Sequence, residues 1–172
     1  CYHPKLAVVG SCRMCQVEVQ GAPKLAISCA TPVAEGMEVF TASERASKAR
    51  KAVLEFLLLN HPLDCPICDK GGECPLQEYT LKYGPGESRY VEEKVHLIKH
   101  QPIGPYVIFD AERCILCTRC VRFMEQIDGD AQIGIMNRGN GSEIATFEEQ
   151  GVHSLLSGNL MDVCPVGAIT SR

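Results

Sequence analysis

From Cys15 to Gln20 the chain alternates: Cys15, Val17 and Val19 are apolar, Gln16, Glu18 and Gln20 polar. A period of two predicts a half-buried strand. Gly21-Ala22-Pro23 turns the chain, and Leu25 and Ile27 predict a returning strand that delivers Cys29. Met37 to Phe40 predicts one more strand. Over residues 41–60 the period lengthens, with Ala46, Ala49, Val53, Phe56 and Leu57 at helical spacing. Thr41 and Glu44 fit a capping box with Thr41 as the N-cap. Leu57-Leu58-Leu59 predicts a buried last turn. Asn60 would close the helix in the left-handed conformation, and Pro62 prevents its continuation.

Beyond Pro62 periodicity is lost. Pro66, Gly71 and Gly72 forbid continuous helix or strand. Pro75 to Tyr79 predicts the start of a short helix, broken by Gly84-Pro85-Gly86. His96 and His100, with Lys94 and Lys99 nearby, read as a solvated surface. Tyr106 to Phe109 predicts a buried strand, and Val121 to Ile127 a helix with Val121, Met124 and Ile127 on one face. Ile133 to Phe147 holds short apolar runs between glycines, hence turns and strands. Ser157 would cap a short helix before Cys164.

Composition changes the picture chiefly through cysteine. A net charge of -4 over 172 residues gives no reason to expect a nucleic-acid partner. No apolar run is long enough to span a membrane. The chain begins at Cys1 rather than methionine, which reads as a truncated start. Eleven cysteines, an odd number, fit a disulfide framework poorly. Thiolate ligands call for a reducing compartment.

Spacing sorts the cysteines into Cys1, Cys12, Cys15, Cys29; then Cys65, Cys68, Cys74; then Cys114, Cys117, Cys120, Cys164. Adding His61, four residues before Cys65, completes three sets of four ligands with no cysteine left over. The first set, on a small β scaffold, suits a [2Fe–2S] cluster, although zinc could use the same sulfurs. Its spacing is not the plant-type C-x4-C-x2-C. The middle set suits either a zinc knuckle or a cluster with a histidine ligand. Cys114, Cys117 and Cys120 form C-x2-C-x2-C, a strong signal for a [4Fe–4S] cluster completed by Cys164-Pro165. Gly139-Asn140-Gly141 lacks the strand, helix and third glycine of a dinucleotide fingerprint, and no nucleophile–base pair is spaced for hydrolysis.

Several motifs together resemble the family of the large, G-type iron–sulfur subunit of respiratory complex I, an NADH-quinone oxidoreductase. They are Cys1-Tyr2-His3-Pro4, Gly10-Ser11-Cys12-Arg13-Met14-Cys15, Asn60-His61-Pro62-Leu63-Asp64-Cys65-Pro66-Ile67-Cys68, Gly71-Gly72-Glu73-Cys74, Arg113-Cys114-Ile115-Leu116-Cys117-Thr118-Arg119-Cys120, Ser157-Gly158-Asn159 and Cys164-Pro165-Val166-Gly167-Ala168. The resemblance implies an α+β chain: a truncated plant-type [2Fe–2S] ferredoxin-like β-grasp over 1–40, a helix plus a [4Fe–4S] domain with one histidine and three cysteine ligands over 41–84, and a [4Fe–4S] ferredoxin-like domain over 85–172.

It also implies one [2Fe–2S] cluster on Cys1, Cys12, Cys15 and Cys29, and two [4Fe–4S] clusters. One of these would sit on His61, Cys65, Cys68 and Cys74, the other on Cys114, Cys117, Cys120 and Cys164. The chain would relay electrons toward quinone, with NADH and FMN held only by a partner subunit, and would itself carry no catalytic residue. Its partners would be that FMN-containing subunit and others of the peripheral arm. It would meet the membrane only through the assembled complex, on the cytoplasmic face of a bacterial inner membrane or the mitochondrial matrix side. Two alternatives stand beside this: an electron-transfer subunit of the diaphorase type in an NAD-reducing or iron-only hydrogenase, and a zinc-stapled interaction module.

Overall fold

A computed structural model describes residues 1–147 and 151–172. The alternating stretch forms β1 (Gln16–Val19), which buries Val17 and pairs antiparallel with β2 (Ala26–Ile27) on one side and β3 (Val39–Phe40) on the other. The three predicted strands are therefore one sheet. Gly10 holds the Cys12 loop down on it: a side chain there would meet Ile27 Cδ1 at 2.7 Å.

The helix is α1 (Glu44–Leu58), and both of its predicted ends are displaced. The N-cap is Ser43, whose hydroxyl accepts from the Ala46 amide at 3.2 Å. Thr41 instead offers its carbonyl to the Arg50 guanidinium at 2.8 Å. At the other end Asn60 is not left-handed. A distant lysine closes the helix: Lys94 Nζ donates to the carbonyls of Leu58 and Leu59 at 2.9 and 2.7 Å. The buried face also differs. Ala46 and Leu54 are fully enclosed, Leu57 to Leu59 are half-buried, and Phe56 is 75% exposed. Leu54→Ala should cost about 2–5 kcal/mol, read as a lowered midpoint in denaturant unfolding, because it empties a site walled on all sides.

α2 (Pro75–Tyr83) starts on proline at its first position and ends at Gly84. It packs on α1, with the Arg50 guanidinium 4.7 Å above the Tyr83 ring. Residues 85–100 form no helix, and His96 is a surface residue whose Nδ1 lies 2.9 Å from Glu112.

A second sheet orders β4 (Gln101–Pro102), β5 (Val107–Phe109) and β8 (Ile169–Ser171), all antiparallel. Val107 and Phe109 point into the core. β8 pairs Phe109 with Ile169, and so brings the segment after Cys164 beside the loop that carries Cys114. α3 (Arg119–Phe123) runs into a π-helical turn over Met124–Asp128, closed by Gly129. The wider turn rotates Ile127 out, so Val121 and Met124 are buried and Ile127 is 49% exposed. β6 (Ile133–Met136) and β7 (Glu143–Thr146) form a hairpin. α4 (Asn159–Val163) precedes Cys164, but Ser157 does not cap it with its side chain: Gly158 is the N-cap, and the buried Ser157 accepts from the Leu160 amide through its carbonyl. One buried cluster runs from Leu6 through Leu54 and Leu76 to Ile169.

Candidate metal centres

Non-glycine residues with left-handed backbone mark two of the three cysteine loops. Arg13 lies between Cys12 and Cys15 with φ 61°, Leu116 between Cys114 and Cys117 with φ 48°, and Thr118 between Cys117 and Cys120 with φ 61°. Bulky residues avoid this region, and such strain persists where the surroundings demand it. Here it bends the short loops that carry Cys12 and Cys15 and that carry Cys114, Cys117 and Cys120, the latter three lining one cavity. The residue types gave no signal of it.

At the first site Cys1, Cys12, Cys15 and Cys29 are all half-buried. The Cys1 backbone nitrogen lies 3.2 Å from Cys12 Sγ. Pairing continues one residue before β1, with the Ser28 amide donating to the Cys15 carbonyl at 3.1 Å, which sets Ser28 opposite Cys15 and Cys29 next to it. Burial pushes the Cys15 thiol up, but hydrogen bonds from Cys29 and Ser28 outweigh it and leave it lowered. Cys29 is raised, by burial and then by its neighbour Cys15.

At the third site four cysteines from two distant stretches line one cavity, Cys114 and Cys117 from the loop before α3, Cys120 from the first turn of α3, and Cys164 from the end of α4. Phe109, Ile144, Val166 and Ile169 complete its apolar wall. Burial pushes the Cys114 thiol up to about 12 and raises Cys120 and Cys164 as well. Four thiolates cannot share such a cavity without a cationic centre to neutralise them. The donor set and its walls therefore fit a metal–sulfur group.

The middle site is built partly by the third. Cys65 is exposed, Cys68 half-buried and Cys74 buried. Cys74 Sγ lies 3.7 Å from the Pro165 carbonyl, and a side chain at Gly167 would collide with Cys68 Sγ. The segment after Cys164 is thus a wall of the middle site, a closeness that spacing does not reveal. His61 lines a neighbouring cleft with Phe109, Cys114 and Ile115, and among the described residues no hydrogen bond joins it to Cys65, Cys68 or Cys74. Its Nδ1 is buried and has no partner. Burial, and then the Lys94 charge, lower its pKa and keep the imidazole neutral, which leaves a lone pair free to ligate. An ion-pair cluster that the motifs did not signal clamps the site to its neighbour: the buried Arg113 Nε pairs with Asp64 at 3.0 Å and with the buried Asp110 at 3.4 Å.

Among the described residues, no three His, Cys, Asp or Glu side chains gather tightly enough to grip a single ion.

Three family models match most of the chain. Residues 1–44 match a 2Fe-2S iron-sulfur cluster binding domain, 50–89 the NADH-ubiquinone oxidoreductase-G iron-sulfur binding region, and 104–170 the ferredoxin-like domain of NADH-quinone oxidoreductase subunit 3. The mitochondrial NADH-ubiquinone oxidoreductase 78 kDa subunit of Candida albicans is 52% identical over the whole chain, and the G subunit of the NADH-quinone oxidoreductase of Rickettsia typhi 49%. The chain belongs to the G-subunit family of NADH-quinone oxidoreductases. It covers 24% and 25% of those two relatives, so it spans about a quarter of their length. A chain from the crystal structure of an NAD+-reducing [NiFe]-hydrogenase in the H2-reduced state superposes with a TM-score of 0.85 at 29% identity, covering 100% of this chain and 74% of that one. The family matches bear out an α+β iron–sulfur chain with 2Fe–2S and 4Fe–4S binding regions. No helix of the described residues is long and apolar enough to cross a membrane.

Proposed function

We propose that this chain is an electron relay of a complex I-type NADH dehydrogenase. It would hold one [2Fe–2S] cluster on Cys1, Cys12, Cys15 and Cys29, and one [4Fe–4S] cluster on each of the sets His61, Cys65, Cys68, Cys74 and Cys114, Cys117, Cys120, Cys164. Such clusters, when bound, take up and release electrons. The chain's own residues would ligate, and apolar walls such as Phe109 and Ile144 exclude water at the third site. Electrons would come from NADH by way of FMN on a partner subunit and leave toward quinone through other subunits of a peripheral arm. That arm would face the bacterial cytoplasm or the mitochondrial matrix. The observation that carries this reading is the convergence of four cysteines on one cavity at the third site.

The hydrogenase likeness favours a second reading, in which the same relay serves an NAD-reducing hydrogenase. Identity near one half to the NADH-quinone oxidoreductase relatives, against 29% to the hydrogenase chain, supports the first. The chain alone, purified without any flavoprotein, should be bleached in the visible by dithionite and left unchanged by NADH. Bleaching by NADH would contradict the division of labour proposed here, and no bleaching by dithionite would contradict the relay itself.

A further inference from the structure

The first and third sites are joined by a buried cation with no acid beside it. Arg122 on α3 is 7% exposed. Its guanidinium donates to the carbonyls of Ala7 at 2.6 Å, Cys1 at 2.7 Å and Cys117 at 3.2 Å, and through Nε to the Thr118 hydroxyl at 3.2 Å. One turn earlier Arg119 donates to the Tyr2 carbonyl at 2.6 Å and the Val163 carbonyl at 3.3 Å, and its Nε is buried without an acceptor. Every acceptor is neutral. Among the described residues, no carboxylate lies within ion-pair reach of either guanidinium.

A guanidinium cannot shed its proton, and burying it without a counter-charge is costly. Arg113, beside the middle site, shows the usual remedy, being flanked by Asp64 and Asp110. Arg122 has no such pair, yet it grips the backbone of two predicted ligands, Cys1 and Cys117, one from each site. Thiolate-ligated clusters are the anions that would complete this arrangement.

We propose that Arg122 is a positioning residue that locks the Cys1 loop to the Cys117 turn and whose unpaired positive charge raises the reduction potentials of the first and third sites together. The inference rests on the relay reading above. A positive charge near a centre favours its reduced form, so removing the charge should lower both potentials, while the middle site, whose own arginine is neutralised, serves as the internal reference.

The test compares Arg122→Gln and Arg122→Lys with the parent in the full-length subunit, by EPR-monitored redox titration and iron determination on the same anaerobic samples. In Arg122→Gln the oxidised-to-reduced ratio at fixed potential should rise about tenfold at the first and third sites, equivalent to about 59 mV for a one-electron couple. The middle site should hold its midpoint, and Arg122→Lys should restore most of the shift. Three unchanged midpoints in Arg122→Gln, a common shift of all three, or a lysine variant no better than the glutamine one would each overturn the electrostatic role. Loss of clusters in both variants would overturn it too, leaving Arg122 a purely structural clasp. A parent without iron would sink the relay reading instead.

Discussion

Replacing His61 with cysteine should keep a [4Fe–4S] cluster at the middle site and lower its reduction potential. A neutral imidazole in place of a thiolate leaves the cluster one negative charge short of an all-cysteine site, which favours accepting an electron. Two such replacements separate Rieske centres from all-cysteine [2Fe–2S] centres by several hundred millivolts, so one exchange is worth on the order of 100 mV. His61→Ala should leave one coordination position open, with loss of an iron or of the whole cluster. The competing role for His61, a cap on the helix that ends nearby, is already filled: Lys94 reaches the last carbonyls of α1, and His61 Nδ1 is buried without a partner. Redox-titrated EPR decides the matter, since parent-like spectra and midpoints in both variants would remove His61 from the ligand set.

Gly167→Ala should abolish or strongly deplete the middle cluster while sparing the third. The added methyl carbon would collide with Cys68 Sγ, with Lys70 Cβ at 3.4 Å and the Lys70 amide nitrogen at 3.6 Å closing off an easy escape. Overpacking of this kind costs about 1–3 kcal/mol by itself. Here the atom forced to move is a sulfur meant to ligate, so the loss falls on the site as well as on stability. Gly158→Ala is the matched control, meeting only Met161 Cε at 4.0 Å. EPR spin quantitation of both variants should show the middle signal missing only in the first. Full occupancy of that site in Gly167→Ala would mean that the segment after Cys164 does not wall it.

Much of this was legible in the chain because the relevant signals are local. The alternation through Val17 and Val19 needs only a sheet with one covered face, and Pro75 and Gly84 delimit α2 by their own backbone preferences. The spacing of Cys114, Cys117 and Cys120 announces a shared centre, and the structure sets them, with Cys164, around one cavity. Where the sequence misled, a distant group had intervened. Lys94 replaces the expected left-handed Asn60, and Arg50 engages the carbonyl of the expected cap Thr41. The π-helical turn after α3 shifts Ile127 off the buried face. β8 is only three residues long, too short for a period to declare itself. The features that relate one site to another were silent for the same reason: Gly167 against Cys68, Arg113 on Asp64 and Arg122 on Cys1 are meetings of residues far apart in the chain.

The central claim, three iron–sulfur sites and no zinc, is tested most directly by metal analysis of the anaerobically purified chain together with its visible spectrum. The account predicts about ten irons per chain, from one two-iron and two four-iron clusters, with visible absorption and almost no zinc. A colourless protein carrying stoichiometric zinc and little iron would contradict it.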